Sequence, residues 1–307
     1  MLDTHGVFLP ASGSAFALSL ALAGVCLAQP APNWTPAVAY AAQSAPQARI
    51  LVLDMETGHL LAASHLTEAA RTLAAPGSTL KPLVLYNLIA SGRWDANRRI
   101  ACTRTLAIAG RSLNCSHPAA PPFDARQALA WSCNTYFANV ADTLSPGGIR
   151  SVLAPTGLLG PTGLASAEAT ANFRDPRTAD ESRLALLGVD GIQVTPLELA
   201  HAYRWLAQHL DSQPATVASQ VVSAGLSDSA SFGIAGPASL GGVSVAGKTG
   251  TANLGAGTAS HGWFVGWAPA VHPRIVLCIY LPSAHGINAA AIAAGLLAHS
   301  PLKESRP

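Results

Sequence analysis

The segments of this chain that read as β-strands lie near its two ends, and helical segments fill the space between. Near the start, 49–55 is a strand-like apolar run, Glu56-Thr57-Gly58 is turn chemistry, and 59–64 is a second strand. Near the end, 243–251, 261–268 and 274–281 are three more strand candidates, followed by an apolar helix over 287–298. This order does not describe a β-α-β series. It predicts an α+β fold: one antiparallel sheet of about five strands drawn from both ends of the domain, flanked by helices, with an all-helical lobe inserted. A crevice is expected where sheet and lobe join.

Helix starts within the lobe can be placed by capping chemistry. Asp124 caps a helix running through Ala130, and Ser132 is expected to begin another that carries Tyr136, Phe137, Val140 and Leu144. Thr195-Pro196-Leu197-Glu198 is a capping box with proline in the first turn, and its helix should run to about Leu210. The stretch between that helix and 243 reads as variable.

The domain is expected over 49–300, with a tail at 301–307. Ahead of it, no charged residue occurs between His5 and Arg49, and 7–28 is largely apolar. Segment 1–28 therefore reads as a signal peptide or a membrane anchor. Cys26-Leu27-Ala28 approximates a cleavage site, but the basic start of a signal peptide is missing, so both readings stay open. Segment 29–48 reads as a Pro/Ala-rich linker. The chain is expected to be exported, to a periplasm or the outer face of the cytoplasmic membrane.

The chemistry centres on Ala75-Pro76-Gly77-Ser78-Thr79-Leu80-Lys81-Pro82-Leu83. A Pro-Gly turn leads into Ser78 at a helix N-terminus, and Lys81 sits one turn on, where its nitrogen is expected to reach the serine hydroxyl. A serine hydroxyl needs an adjacent base to attack a carbonyl near neutral pH. Lysine serves only as the neutral amine, which calls for burial or a neighbouring positive charge. Only three of the 18 basic residues are lysine: Lys81, Lys248 and Lys303. Arginine supplies the solvated charge elsewhere, but it cannot fill a role that needs a removable proton.

Two further motifs follow in order. In Ser132-Cys133-Asn134 the serine can relay a proton to a leaving group, and the asparagine amide can hold both the lysine and a substrate amide. In Lys248-Thr249-Gly250-Thr251, on an edge strand, Lys248 would supply positive potential and Thr249 and Thr251 would hydrogen-bond a carboxylate. Gly250 would leave room for substrate. The backbone N–H groups of Ser78 and Thr251 would form an oxyanion hole.

Gly242-Val243-Ser244-Val245-Ala246-Gly247-Lys248-Thr249 also matches a phosphate-binding loop letter for letter. That reading needs a strand before the motif and a helix after it, and neither is expected here. Arginines are scattered without a run, so nucleic acid is not an expected partner. The histidines show no paired metal spacing, and neither metal nor cofactor is expected. Cys102 and Cys115 flank a short loop, a spacing compatible with a hairpin disulfide and equally with two unpaired thiols.

Taken together, Ser-x-x-Lys, Ser-x-Asn and Lys-Thr-Gly resemble the signature of penicillin-binding proteins and serine β-lactamases. The surrounding blocks are similar to the transpeptidase domain of the high-molecular-mass penicillin-binding proteins: Val194-Thr195-Pro196-Leu197, Lys248-Thr249-Gly250-Thr251-Ala252 and His261-Gly262-Trp263-Phe264-Val265-Gly266. Where that family usually has Gly-Gln-Gly, this chain has Gly188-Val189-Asp190-Gly191.

The resemblance implies a serine D,D-transpeptidase or D,D-carboxypeptidase acting on D-Ala-D-Ala stem peptides of peptidoglycan, through an acyl-enzyme on Ser78. Lys81 and Ser132 would handle protons, and β-lactams would acylate as mimics. Other cell-wall enzymes would be partners, and no nucleotide would be involved. Two alternatives remain at this point. One is a serine β-lactamase, for which Glu168-Ala169-Thr170-Ala171-Asn172 has the spacing of one class. The other is a non-catalytic β-lactam or cell-wall sensor or scaffold.

Overall fold

Five strands pair into one antiparallel sheet: β1 (Arg49–Asp54), β2 (Leu60–Ser64), β3 (Ala246–Asn253), β4 (Ser260–Ala268) and β5 (Ile275–Leu281), in the order β2-β1-β5-β4-β3. The computed structural model describes residues 1–2, 32–145, 147–253 and 260–304. The reading of 1–28 as a leader therefore lies outside the described residues, save Met1 and Leu2. Residues Asn33–Pro307 form one compact unit, to which everything below refers.

Strands from opposite ends of the chain meet at the centre of the sheet, where β1 pairs with β5 along its whole length, from Arg49 opposite Tyr280 to Asp54 opposite Ile275. Both faces of the sheet are buried, and the period-two alternation decides which residue serves which core. Leu51, Leu53, Val276, Cys278 and Tyr280 join the core shared with the helical lobe. Ile50, Val52, Ile275, Leu277, Ile279 and Leu281 join a second core on the other face.

That second face is covered by Gly286–Ala298, the expected closing helix, and by Thr35–Ser44. The latter is a difference from the sequence reading, which treated this stretch as spacer. Its Trp34, Ala37, Val38 and Ala41 are all buried, so the alanines that suggest a linker act as small residues that let a helix lie close. Among the described residues no helix is long and apolar enough to cross a membrane.

The lobe-side face carries Pro196–Leu210, which begins with the expected capping box between Thr195 and Glu198, and Lys81–Ala90 joins the same core. A second difference is Val217–Ser231, a 15-residue helix in the stretch read as variable. Its capping box is Thr216 with Ser219, and its serine- and alanine-rich sequence gives little apolar contrast. Close packing explains the composition. A Cβ at Gly225 would come within 3.0 Å of Leu129 on the facing helix Ala125–Ala130.

Trp34→Ala tests whether 33–48 belongs to the folded unit. Truncating a buried tryptophan costs about 3–5 kcal/mol, so the urea midpoint of the whole domain should fall, whereas a true spacer would leave it unmoved.

Candidate active site

The Ser78 turn is held by hydrogen bonds to its backbone from three distant elements. Gly77–Leu80 is a 3₁₀ turn that runs into the helix Lys81–Ala90. Trp263 Nε1 of β4 donates to Ala75 O at 2.9 Å, and Tyr203 Oη of the helix Pro196–Leu210 donates to Thr79 O at 2.8 Å. Gly77 N donates to Gly188 O at 2.8 Å.

Glycines allow the approach. A Cβ on Gly77 would lie 2.7 Å from Thr251 O of β3, and one on Gly188 would collide with the Gly77 backbone. Both glycines also have positive φ, of 58° and 69°. Gly250 is occupied differently from the expectation. The space its missing Cβ leaves is filled by the Pro76 carbonyl and the Thr79 methyl rather than being kept for substrate.

The turn and the edge strand thus form one wall of a cleft of about 430 Å³, lined among others by Ser78, Ser132, Asn134, Thr249, Thr251 and His285. Two other hollows are of similar or greater size, about 490 Å³ near Asp54 and Arg274 and about 710 Å³ near Tyr40 and His299. The second carries Ser300 and Lys303, but neither is lined by any residue of the three motifs, which meet at the cleft beside Ser78.

Lys81 is fully buried, and its Nζ donates to Asn134 Oδ1 at 2.6 Å, Ser132 O at 2.9 Å and Ser132 Oγ at 3.2 Å. The Phe137 ring centroid lies 5.1 Å away. Burial pushes the ammonium down to about 8, partly offset by the nearby Cys133 and Cys115 sulfurs. The expected contact with Ser78 differs in detail. Among the described residues, Lys81 makes no hydrogen bond to the Ser78 hydroxyl. A buried ammonium has three N–H groups to satisfy, and Ser132 and Asn134 offer three acceptors on one side.

The orientation of Asn134 is fixed by its neighbours, because its Nδ2 donates to Leu113 O at 3.0 Å while its Oδ1 faces the lysine. Ser132 does not begin a helix. The helix Ala125–Ala130 ends in a turn in which Ser132 N bonds Leu129 O and Cys133 N bonds Ala128 O, and the next helix is Asn134–Ala141. Ser132 occupies the left-handed position of that turn, φ 55°, where glycine is usual. A side chain there costs about 1–2 kcal/mol, strain of the kind tolerated where a hydroxyl must point one way.

Lys248 is also fully buried and donates to Thr249 O at 3.1 Å. Burial first, and then the charge of Lys81, hold it well below the ordinary lysine range. It stands behind the cleft wall, while Thr249 and Thr251 line it. Thr251 Oγ1 accepts from Gly286 N at 2.9 Å.

The phosphate-loop reading fails on structure, since Gly247, Lys248 and Thr249 lie inside an edge strand that runs on to Asn253 instead of opening a helix. Glu168, the residue of the lactamase-like spacing, is committed elsewhere. It accepts from Thr162 N, Thr162 Oγ1, Leu164 N and Ala165 N at 2.6–2.9 Å. Burial pushes its carboxyl up, but the hydrogen bonds from Ala165, Thr162 and Leu164 outweigh it and hold it low. Both oxygens are occupied and weakly basic, a poor general base.

Sequence reasoning missed Gly188 as a supporting residue, though its place in the block that departs from the family pattern was the available signal. It also missed that Cys133 stands against Cys115, with sulfurs 3.9 Å apart, on the far side of the Ser132–Asn134 turn.

Comparison with known proteins agrees with this geometry. The family described as penicillin binding protein transpeptidase domain matches residues 48–298. Among solved structures, a peptidoglycan glycosyltransferase from Burkholderia ambifaria is similar with TM-score 0.73 and 20% identity, over 86% of this chain and 92% of that one. The transpeptidase domain of Burkholderia pseudomallei penicillin-binding protein 3 is similar with TM-score 0.73 and 20% identity, over 87% and 94% respectively.

Gly188→Ala should force the loop off Gly77 and displace the serine turn. Overpacking costs about 1–3 kcal/mol and the left-handed backbone about 1 more. A lower melting temperature together with slower acylation of Ser78 by a fluorescent penicillin is the expected result.

Proposed function

This chain belongs to the penicillin binding protein transpeptidase domain family, and on that premise we propose that it is an exported serine D,D-transpeptidase or D,D-carboxypeptidase acting on D-Ala-D-Ala peptidoglycan stem peptides. One observation carries the reading. A lysine with no access to solvent holds the serine and asparagine of the second motif, beside the cleft that Ser78 lines.

The acceptors that satisfy the Lys81 ammonium also fit the neutral amine it becomes on losing a proton. Ser132 O and Asn134 Oδ1 can only accept, so they match the two N–H groups the amine retains, and the lone pair is left for a hydroxyl proton. Ser78 Oγ then attacks the penultimate D-alanine carbonyl and gives its proton to Lys81. The backbone N–H groups of Ser78 and Thr251 receive the oxyanion. Lys81 returns the proton through Ser132 Oγ to the departing D-alanine nitrogen. Thr249 and Thr251, which line the cleft, would hold the substrate carboxylate. An amine or water then attacks the ester by the reverse sequence. β-Lactams would enter as acylating mimics, and other cell-wall enzymes as partners.

The commitment of Glu168 to its own loop counts against the lactamase alternative. The intact network at Lys81 counts against the sensor or scaffold alternative.

Labelling with a fluorescent penicillin tests the proposal. Ser78→Ala should abolish the label, and Lys81→Arg should slow acylation by about 10²–10⁴-fold because arginine cannot release its proton. With Lys81 near 8 instead of 10.5, the base form grows as pH rises, so the acylation rate should climb through about pH 8 and then level. A midpoint above 10, in the ordinary lysine range, would show that burial does not poise Lys81 as a base near pH 8. Glu168→Gln should leave the lifetime of the label unchanged, whereas a lactamase base at this position would make the label persist only in the variant. Release of D-alanine from a stem pentapeptide separates an enzyme from a sensor.

A further inference from the structure

Directly behind the Ser132–Asn134 turn, four side chains from three stretches of chain converge. Cys102, Cys115, Cys133 and His117 place one potential ligand atom each within 4.8 Å of all the others. The Cys102 and Cys115 sulfurs are 3.4 Å apart, and those of Cys115 and Cys133 are 3.9 Å apart. A tetrahedral zinc ion with Zn–S of about 2.3 Å has sulfur–sulfur edges of about 3.8 Å, close to this spacing.

His117 supplies an independent observation. It is only 2% exposed, and its Nδ1 faces Pro118 O at 2.7 Å, so the proton belongs on Nδ1 and the lone pair on Nε2. That Nε2 is buried and, among the described residues, has no hydrogen-bond partner. An orphaned buried acceptor is costly, and a backbone carbonyl on the opposite ring nitrogen is the arrangement that orients a metal-binding histidine. The sulfurs are set in the same way, because Asn134 N donates to Cys115 Sγ at 3.2 Å and Arg104 N to Cys102 Sγ at 3.3 Å.

We propose that Cys102, Cys115, Cys133 and His117 form a closed, tetrahedral site for a thiolate-binding divalent cation, zinc first among them. Three sulfurs and one imidazole favour zinc over the harder magnesium or calcium, and four protein ligands leave no open position, as in a structural site. Binding converts the thiols to thiolates, and their protons pass to solvent.

The alternative use of these residues, a Cys102–Cys115 disulfide, would leave both Cys133 and His117 Nε2 without a role. The site also answers a local need. Apart from a ribbon of two residues per strand, Ala107–Ile108 with Arg111–Ser112, the segment between the helices Lys81–Ala90 and Ala125–Ala130 has no regular secondary structure, yet it forms one lip of the cleft. A metal would tie that lip to Cys133, whose two chain neighbours hold Lys81. The ion is thus a positioning device for Ser132 and Asn134. This consequence, though not the metal site itself, rests on the proposed acyl transfer.

The test uses the full chain purified under reducing conditions without chelator or affinity tag. Elemental analysis should find about one zinc per chain. Cobalt(II) exchanged for zinc should show the intense ligand-field and thiolate charge-transfer bands of a tetrahedral sulfur-rich site. Cys102→Ser and His117→Ala should each weaken metal affinity by about 10–100-fold or more, and Cys278→Ser, in the sheet core, should not. Should the ligand variants fail to fold, zinc content and the cobalt spectrum of the unaltered protein decide alone. A metal-free protein that takes up no cobalt in tetrahedral form overturns the proposal, and so does a metal-free protein with a Cys102–Cys115 disulfide. Removing zinc from the unaltered protein should slow penicillin labelling of Ser78, and an unchanged rate overturns the positioning role. Zinc bound at full stoichiometry without any penicillin label would refute the acyl-transfer reading while leaving the metal site standing.

Discussion

The site depends on a close approach of backbones that only glycine permits. The Ser78 turn is pressed between β3 and the loop at Gly188, and at both contacts a side chain would occupy space already filled by main chain. Gly77 is common to the two contacts, and Gly250 admits the Pro76 carbonyl from the strand side. Ser78 therefore stands on a junction of three segments far apart in sequence. Such a junction would supply the preorganisation that the proposed acyl transfer needs, because small displacements of an attacking atom are expensive in rate.

Around that junction the molecule accepts local strain in return for direction. Ser132 occupies a left-handed position that a glycine would fill more comfortably, and the result is a hydroxyl and a carbonyl of the same residue both facing Lys81. The following helix starts only at Asn134, so its first residue contributes the third acceptor. One helix end and one helix start thereby converge on a single nitrogen.

Much of this was legible in the residues alone, and what was missed has physical causes. The sheet followed from strand-like runs at both ends, because alternation and turn chemistry are local signals. The three motifs named Ser78, Lys81, Ser132, Asn134 and Lys248, because each pairs a chemical need with a residue type. Val217–Ser231 was hidden by small residues whose helical face shows only when it packs against Leu129. Thr35–Ser44 was mistaken for spacer for a similar reason. The Cys102, Cys115, His117 and Cys133 cluster was invisible because its ligands come at irregular spacing from three stretches, and the ribbon that folds the first two stretches together is only two residues per strand. Cysteines read in pairs gave a disulfide or nothing. The third sulfur was already taken as the middle letter of another motif.

The division of labour between the two kinds of basic residue is the last piece of physics, and it unites composition with chemistry. Among the described residues every ion pair between side chains is made by arginine, as with Arg126 and Asp228 or Arg183 and Asp142. Among the described residues Lys81 and Lys248 have no carboxylate partner, and both are closed off from solvent. A buried cation without a counter-ion is costly, and two of them close together are more so, since each charge opposes the other. The three acceptors and the Phe137 ring favour charge on Lys81, and that charge in turn disfavours one on Lys248. In the proposed acyl transfer arginine could not stand in for Lys81, because that role needs a proton that can be given up.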